Sequence, residues 1–193
     1  MSGFRNRSAK QGQVRIIGGQ WRGRKLSFPA ADGLRPTGDR IRETLFNWLA
    51  DSILDASCAD LFAGSGALGL EALSRGARYC DFVDNSGTAL AHIRDHLSVL
   101  GACGKSSCHP GAALQFLQTA GTPYDIVFVD PPFQQQLVAP TCAALAQMNL
   151  LAPDARVYVE MAASAPPPGV PPEWNLYREK VAGGVIYRLY SIS

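Results

Sequence analysis

Asp130, Pro131, Pro132 and Phe133 close the run YDIVFVDPPF, Tyr124 to Phe133. The Asp130 carboxylate is an acceptor-only group when ionised. Each proline lacks an N–H and fixes its φ, so the backbone there is stiff and its carbonyls have no neighbouring amide to satisfy them. Phe133 adds a ring face. Together these groups suit a planar ring that carries an amino substituent. The exocyclic amine of a nucleobase is a poor nucleophile, because its lone pair is delocalised into the ring. A carboxylate and a carbonyl accepting its two N–H bonds would aim that lone pair at an electrophile and stabilise the positive charge developing on nitrogen. Stacking on Phe133 would contribute about 1–3 kcal/mol. The plain alternative is a strand end followed by a rigid turn. The aromatic after the prolines tips the balance towards chemistry.

Asp130-Pro-Pro-Phe133 resembles the (Asn/Asp)-Pro-Pro-(Tyr/Phe) motif of S-adenosylmethionine-dependent amino-methyltransferases, which modify adenine N6, cytosine N4 or guanine N2. Upstream, Asp60-Leu-Phe62-Ala63-Gly64-Ser65-Gly66-Ala-Leu-Gly69 contains Gly-x-Gly-x-x-Gly, and Asp84 follows Gly64 by twenty residues. That spacing alone fits a dinucleotide site. The flanks argue otherwise. A helix N-terminus attracts the pyrophosphate of NAD, whereas S-adenosylmethionine has no phosphate and carries an ammonium and a sulfonium. Those cations call for carboxylates, and Asp60 stands where a dinucleotide site keeps aliphatic residues. At about 4 Å and an effective dielectric of about 20, Asp60 would attract the ammonium by roughly 4 kcal/mol before desolvation. Gly64 and Gly66 would let the backbone approach the methionine moiety. Asp84 would accept from both ribose hydroxyls, with Asn85 bordering the adenine. No obvious hydride-transfer acid or base is present: His92, His96 and His109 lie away from the strand-end motif.

These residues need a scaffold that brings strand ends together. Ile126 to Val129 reads as an inner strand of a parallel sheet. Ligands of open α/β sheets bind outside the carboxyl ends of the strands, where Asp130 falls. Further strands are expected at Ser57–Phe62, Tyr79–Asp84, Ser106–His109 and Ala155–Glu160, alternating with helices to about Arg75, over Ser86–Leu100, Ala112–Ala120 and Leu137–Met148. Leu176–Lys180 and Val185–Ile192 form a hairpin turning at Gly183-Gly184. A rigid proline-rich loop, Ala165 to Pro172, precedes it. The alternation predicts an α/β fold with a parallel, doubly wound sheet and an antiparallel edge. Nearer the N-terminus, Val14–Gly19 and Arg24–Phe28 read as a short hairpin. A helix follows Thr37, its N-cap, with Ile41, Leu45, Trp48 and Leu49 on the buried face and Arg40, Arg42 and Glu43 on the others.

At 193 residues with 47% hydrophobic content, the chain suits one well-cored soluble domain. No apolar run approaches the roughly 18 residues of a membrane span, and the polar, basic start does not read as a signal peptide, so a cytoplasmic location is expected. Residues 1–42 hold ten Lys or Arg against two Asp, net +8; the remainder holds eight against fourteen acids, net −6. A basic end on an acidic body suits nucleic acid. Arg15, Trp21, Arg22, Arg24, Lys25 and Arg35 mix cations with an aromatic, as phosphate contacts plus stacking require. The five cysteines are irregularly spaced; Cys103, Cys108 and His109 lack a second pair, so no metal is expected.

A closer resemblance joins these pieces. Arg15-Ile-Ile-Gly-Gly, Trp21-Arg-Gly-Arg-Lys25, Leu34-Arg-Pro-Thr37, Asp39-Arg40, Arg42-Glu-Thr-Leu-Phe46, Asp60-Leu-Phe-Ala-Gly-Ser-Gly66 and Phe128-Val-Asp-Pro-Pro-Phe133 resemble the RsmD family, from Val14 to the C-terminus. The resemblance implies a Rossmann-like class I methyltransferase fold, with a seven-stranded mostly parallel sheet, an antiparallel C-terminal hairpin and a small N-terminal β-hairpin. It implies S-adenosyl-L-methionine as cofactor and methylation of guanine N2 at position 966 of 16S ribosomal RNA. The partner would be that RNA, within an assembling small subunit, and the enzyme a monomer. Thr37, Arg40, Phe62, Ala63, Ser65, Ala112 and Ala113 join Asp60, Gly64, Gly66, Asp84, Asn85 and Asp130 at the cofactor, and Asp130, Pro131, Pro132 and Phe133 form the catalytic block. The segment His109-Pro-Gly-Ala-Ala113 departs from fold relatives that place an acid or amide near the adenine, which leaves that contact to backbone groups. The expected organisation is a disordered basic arm at residues 1–13, an RNA-contacting hairpin at 14–36 and a catalytic domain at 37–193. Two rivals remain: an adenine-N6 or cytosine-N4 methyltransferase of DNA or RNA, and a non-catalytic RNA-binding or ribosome-assembly protein.

Overall fold

The computed structural model describes residues 11–29 and 38–193. Seven strands form the main sheet: β3 (Ser57–Asp60), β4 (Tyr79–Asp84), β5 (Ser106–Pro110), β6 (Tyr124–Val129), β7 (Leu151–Ala162), β8 (Asn175–Ala182) and β9 (Val185–Ser191). Their spatial order is β5-β4-β3-β6-β7-β9-β8. The pairs from β5 through β7 are parallel, and β9 runs antiparallel to both β7 and β8. The chain winds outwards from β3 to β5, then returns to β6 on the other side of β3. That reversal puts the topological switch point between β3 and β6, where open α/β sheets bind ligands.

Helices cover both faces. On one lie α1 (Asp39–Trp48), α2 (Ala67–Ser74) and α3 (Gly87–Val99), packed on Cys58, Cys80, Phe82, Ile126, Phe128 and Tyr158. On the other lie α4 (Ala113–Leu117) and α5 (Val138–Gln147), packed on Ala59, Val83, Val127, Val129 and Val157. Adjacent residues of one strand divide between the two cores, as the period-two pleat requires.

A separate antiparallel pair, β1 (Gln11–Arg15) and β2 (Lys25–Pro29), forms the N-terminal hairpin. It is joined to α2 through Glu71, a fully buried carboxylate that accepts from the N–H groups of Ile17 and Gly18, both at 2.8 Å. Glu71 also pairs with Arg42 Nη1 at 3.4 Å and Arg75 Nε at 2.7 Å. Gly19, at φ +75°, lies against the Ser74 carbonyl, where a Cβ would come within 1.8 Å of the oxygen. No side chain other than hydrogen fits there.

Several expectations need correction. Gln11, Gly12 and Gln13 belong to β1, paired with Pro29, Phe28 and Ser27, so the arm expected over 1–13 does not reach Gln13. Gly12 passes under the Phe28 ring, which a partner strand orders despite the polar local sequence. Arg42, expected away from the core, is buried at 1% exposure. The buried stripe of α1 is Arg42, Leu45, Phe46 and Leu49, because the Arg42 guanidinium meets Asp39, Glu71 and the Arg15 carbonyl. The N-cap of α1 is Gly38 rather than Thr37, and Thr37 and Arg35 lie outside the described residues. β3 stops at Asp60, α4 at Leu117, and β7 is extended at its start by the pairing of Leu151 with Tyr124 on β6 and at its end by the pairing with β9. Gly183 and Gly184, at φ +60° and +79°, make the expected turn between β8 and β9. No helix among the described residues is long and apolar enough to cross a membrane.

Candidate active site

Register fixes how the three expected carboxylates relate. Asp60 pairs with Phe82 on β4 and with Phe128 on β6. Asp84 and Asp130 each stand two residues further along those neighbouring strands. Residues two apart share a face, so the register points all three towards the face that holds α1 to α3. β4 and β6 flank β3, which separates Asp84 and Asp130 by about two strand spacings, roughly 10 Å. The glycine loop leaves β3 between them.

Asp84 holds that loop. Its Oδ2 accepts from Gly64 N at 2.8 Å and its Oδ1 from Ser86 N at 2.7 Å. Each oxygen keeps a further lone pair for a ligand hydroxyl, and the residue is part-exposed. Gly64 and Gly66 adopt φ +51° and +77°, the left-handed region that favours glycine. Gly66 is the N-cap of α2. Phe62 and Ser65 are half-buried and Ala63 is buried, its N–H donating to the Val83 carbonyl at 2.9 Å.

Asp60 sits deeper than its expected role implies. It is 2% exposed, and its Oδ2 accepts from Gly69 N at 3.0 Å in the first turn of α2. Burial pushes its carboxyl up to about 7, and Asp84 adds to the rise; the Gly69 and Phe62 N–H groups oppose it. The buried acid therefore caps α2 and sets the loop's path.

Beyond β6, Pro131 is buried while Phe133 is 48% exposed, a large ring presented to solvent. The Pro132 carbonyl accepts from Gln135 N at 3.0 Å. Of the two carbonyls expected to be bare, that one is committed to the turn. Asn85 is exposed beside Asp84. Ala112 is the N-cap of α4, whereas the Ala113 side chain is core. Arg40 is exposed on α1. In the hairpin, Arg22, Arg24 and Lys25 are exposed; Arg15 is exposed but paired with Asp39 at 3.0 Å. Trp21 is half-buried against the main core.

One acidic residue was missed. Glu160 stands on β7 one residue past the Val129–Val159 pair, which makes it the lateral neighbour of Asp130. It is 5% exposed, and its Oε2 accepts from the Tyr158 hydroxyl at 2.6 Å. Burial raises its carboxyl, opposed by that hydrogen bond. Burial also raises the Tyr158 phenol strongly, with Glu160 and then Asp130 adding to the effect. The signal was in the sequence: Val157-Tyr-Val-Glu160 is a second apolar run ending in a carboxylate.

His109 is taken by Asp81 at 2.7 Å, and no group of three or more potential metal ligands occurs among the described residues.

Comparison with known proteins places this arrangement. A family model described as conserved hypothetical protein 95 matches residues 14–191. Ribosomal RNA small subunit methyltransferase D of Escherichia coli (strain K12) is 52% identical over 179 residues, 93% of this chain and 90% of that protein. The protein of the same name from Haemophilus influenzae is 44% identical over 184 residues, 93% of this chain and 94% of its own length. The solved structure of the putative methyltransferase yhhF from Escherichia coli superposes with a TM-score of 0.86 at 48% identity, covering 94% of this chain and 99% of that one. With motifs, topology and full-length similarity in agreement, the chain belongs to the ribosomal RNA small subunit methyltransferase D family.

Proposed function

We propose that the chain transfers a methyl group from S-adenosyl-L-methionine to the N2 amine of a guanine in 16S ribosomal RNA, at the position numbered 966. The observation that carries this reading is the in-phase placement of Asp60, Asp84 and Asp130 around a left-handed glycine loop at the switch point. A set of anionic acceptors suits a ligand that is cationic at one end and carries a diol in its middle. The cofactor supplies an electrophilic methyl group on a sulfonium.

Asp84 accepts from the ribose hydroxyls with the lone pairs left by Gly64 and Ser86. Gly64, Ser65 and Gly66 bring backbone against the methionine moiety, with Phe62 and Ala63 behind them. Asp60 contributes negative charge from beneath the loop rather than a solvent-facing contact. Asn85 and the backbone near Ala112 border the adenine, with Arg40 at the cofactor end of the cleft; Thr37, expected there too, lies outside the described residues. The target guanine leaves its stack, as base-modifying enzymes require, and its ring lies on Phe133. Asp130 and the Pro131 carbonyl accept the two N–H bonds of the amine, which localises the lone pair and aligns it for in-line attack. The methylated nitrogen then sheds a proton, which an Asp130 oxygen is placed to accept.

Arg22, Arg24 and Lys25 on the hairpin, with Arg15, Arg35 and the half-buried Trp21, supply phosphate and stacking contacts. The substrate is an assembling small subunit, the enzyme acts as a monomer, and its place is the cytoplasm. The test is transfer of labelled methyl to naked RNA and to small subunits from cells lacking the enzyme, followed by nucleoside identification. N2-methylguanosine in RNA is the expected product. Methylated adenine or cytosine, or no transfer despite cofactor binding, would overturn the assignment.

A further inference from the structure

Four acidic side chains, not three, close the carboxyl end of the sheet. Glu160 is the fourth, and nothing in the transfer step described above uses it. β6 and β7 lie about 4.8 Å apart, and their register sets Glu160 beside Asp130. Tyr158 and Phe128 are paired and share one core, so the residues two further along, Glu160 and Asp130, are directed to that same face. The Tyr158 hydroxyl fixes Oε2 at 2.6 Å. Among the described residues no donor reaches Oε1, and no Lys or Arg pairs with the carboxyl. Glu160 is 5% exposed, yet Oε1 is not among the buried atoms left without a partner, so it keeps a lone pair open to the cleft. A ligand donor would complete it.

Resting on the guanine reading above, we propose that Glu160 determines base specificity, its Oε1 accepting the N1–H of the target guanine beside Asp130. Guanine carries two adjacent kinds of donor on one edge, the N2 amine and N1–H. Adenine and cytosine place a bare ring nitrogen next to their amine. An acceptor opposite that nitrogen meets a lone pair, and a buried polar group left unpaired discriminates strongly. Asp130 recognises the amine that all three bases share. Glu160 recognises the proton that, among them, guanine alone presents at the neighbouring ring nitrogen. Tyr158 is the positioning residue that turns Oε1 towards the base.

The discriminating probe is 2-aminopurine, which keeps the amine of guanine and has an unprotonated N1. Small subunits assembled on RNA with guanine or 2-aminopurine at the target position are methylated by the full chain, and kcat/KM is measured for each. The wild-type protein should favour guanine by roughly 5- to 150-fold, the range of one good base contact. In Glu160→Gln, Tyr158 holds the amide oxygen and the amide NH₂ faces the base. That variant should lower the ratio to one or below, because the NH₂ repels N1–H and donates to a bare N1. Glu160→Ala should bring the ratio near one. Cofactor binding by calorimetry reports whether each variant is folded. A ratio unchanged in both folded variants, or a wild-type protein that uses both bases equally, overturns the proposal. Absence of any guanine product with the wild-type protein would instead sink the underlying activity.

Discussion

Replacing Asp60 by Asn separates the charge of a buried carboxyl from its hydrogen bond. Asp60 is shifted from 3.8 to about 7 in the folded protein. Between those values the folded state binds the proton more tightly than the unfolded chain. Stability contributed by this group is therefore present below about pH 4 and is lost as pH rises through 7. At 1.36 kcal/mol per unit, the loss is on the order of 4 kcal/mol by pH 8. Asn keeps an oxygen for Gly69 N and carries no charge, but its NH₂ is left without a partner at a cost of about 1–3 kcal/mol. Net stabilisation of roughly 1–3 kcal/mol at pH 8 is expected without cofactor, or about 2–4 °C in Tm for each kcal/mol. The assay is urea and thermal unfolding of both proteins from pH 4 to 8. The difference, variant minus wild type, should widen by about 4 kcal/mol towards pH 8. A difference that stays flat with pH would refute the account. The same variant should bind S-adenosylmethionine more weakly at pH 8, since the charge that destabilises the empty loop is the one that attracts the cation.

Other outcomes follow from named contacts. Asp130→Ala should lower kcat by at least about 100-fold while cofactor binding by calorimetry stays near wild type; substantial turnover would remove Asp130 from the transfer step. Asp84→Ala should raise the cofactor Kd and loosen the Gly64 loop, and unaltered binding would dismiss the ribose assignment. Neutralising Arg22, Arg24 and Lys25 together should flatten the salt dependence of RNA affinity by about 2 in log–log slope; an unchanged slope would take the hairpin out of the interface. Glu71→Ala removes the buried carboxylate beside Arg42 and Arg75 and leaves the N–H groups of Ile17 and Gly18 without their acceptor. A loss of roughly 3–5 kcal/mol in unfolding free energy is expected, and a loss below about 1 would mean the network does not hold the hairpin.

The strand and helix pattern was legible because the main sheet is buried on both faces. Apolar runs such as Ile126–Val129 and alternating helices leave few other solutions, and the glycine loop and Asp130-Pro-Pro-Phe133 stand out as local breaks in that pattern. Gly183-Gly184 likewise dictated its turn locally, by backbone freedom alone. What sequence could not decide was where charges go when they meet across the chain. Arg42 looked solvent-facing until Glu71, 29 residues away, supplied a buried partner. Asp60 looked like a ligand contact until β3 ended beneath α2, which turned its carboxylate onto Gly69. Glu160 became part of the site only when β7 paired with β6 and brought it beside Asp130. Burial, and with it the energy of a charge, depends on which elements pack together, and no local window of residues contains that information.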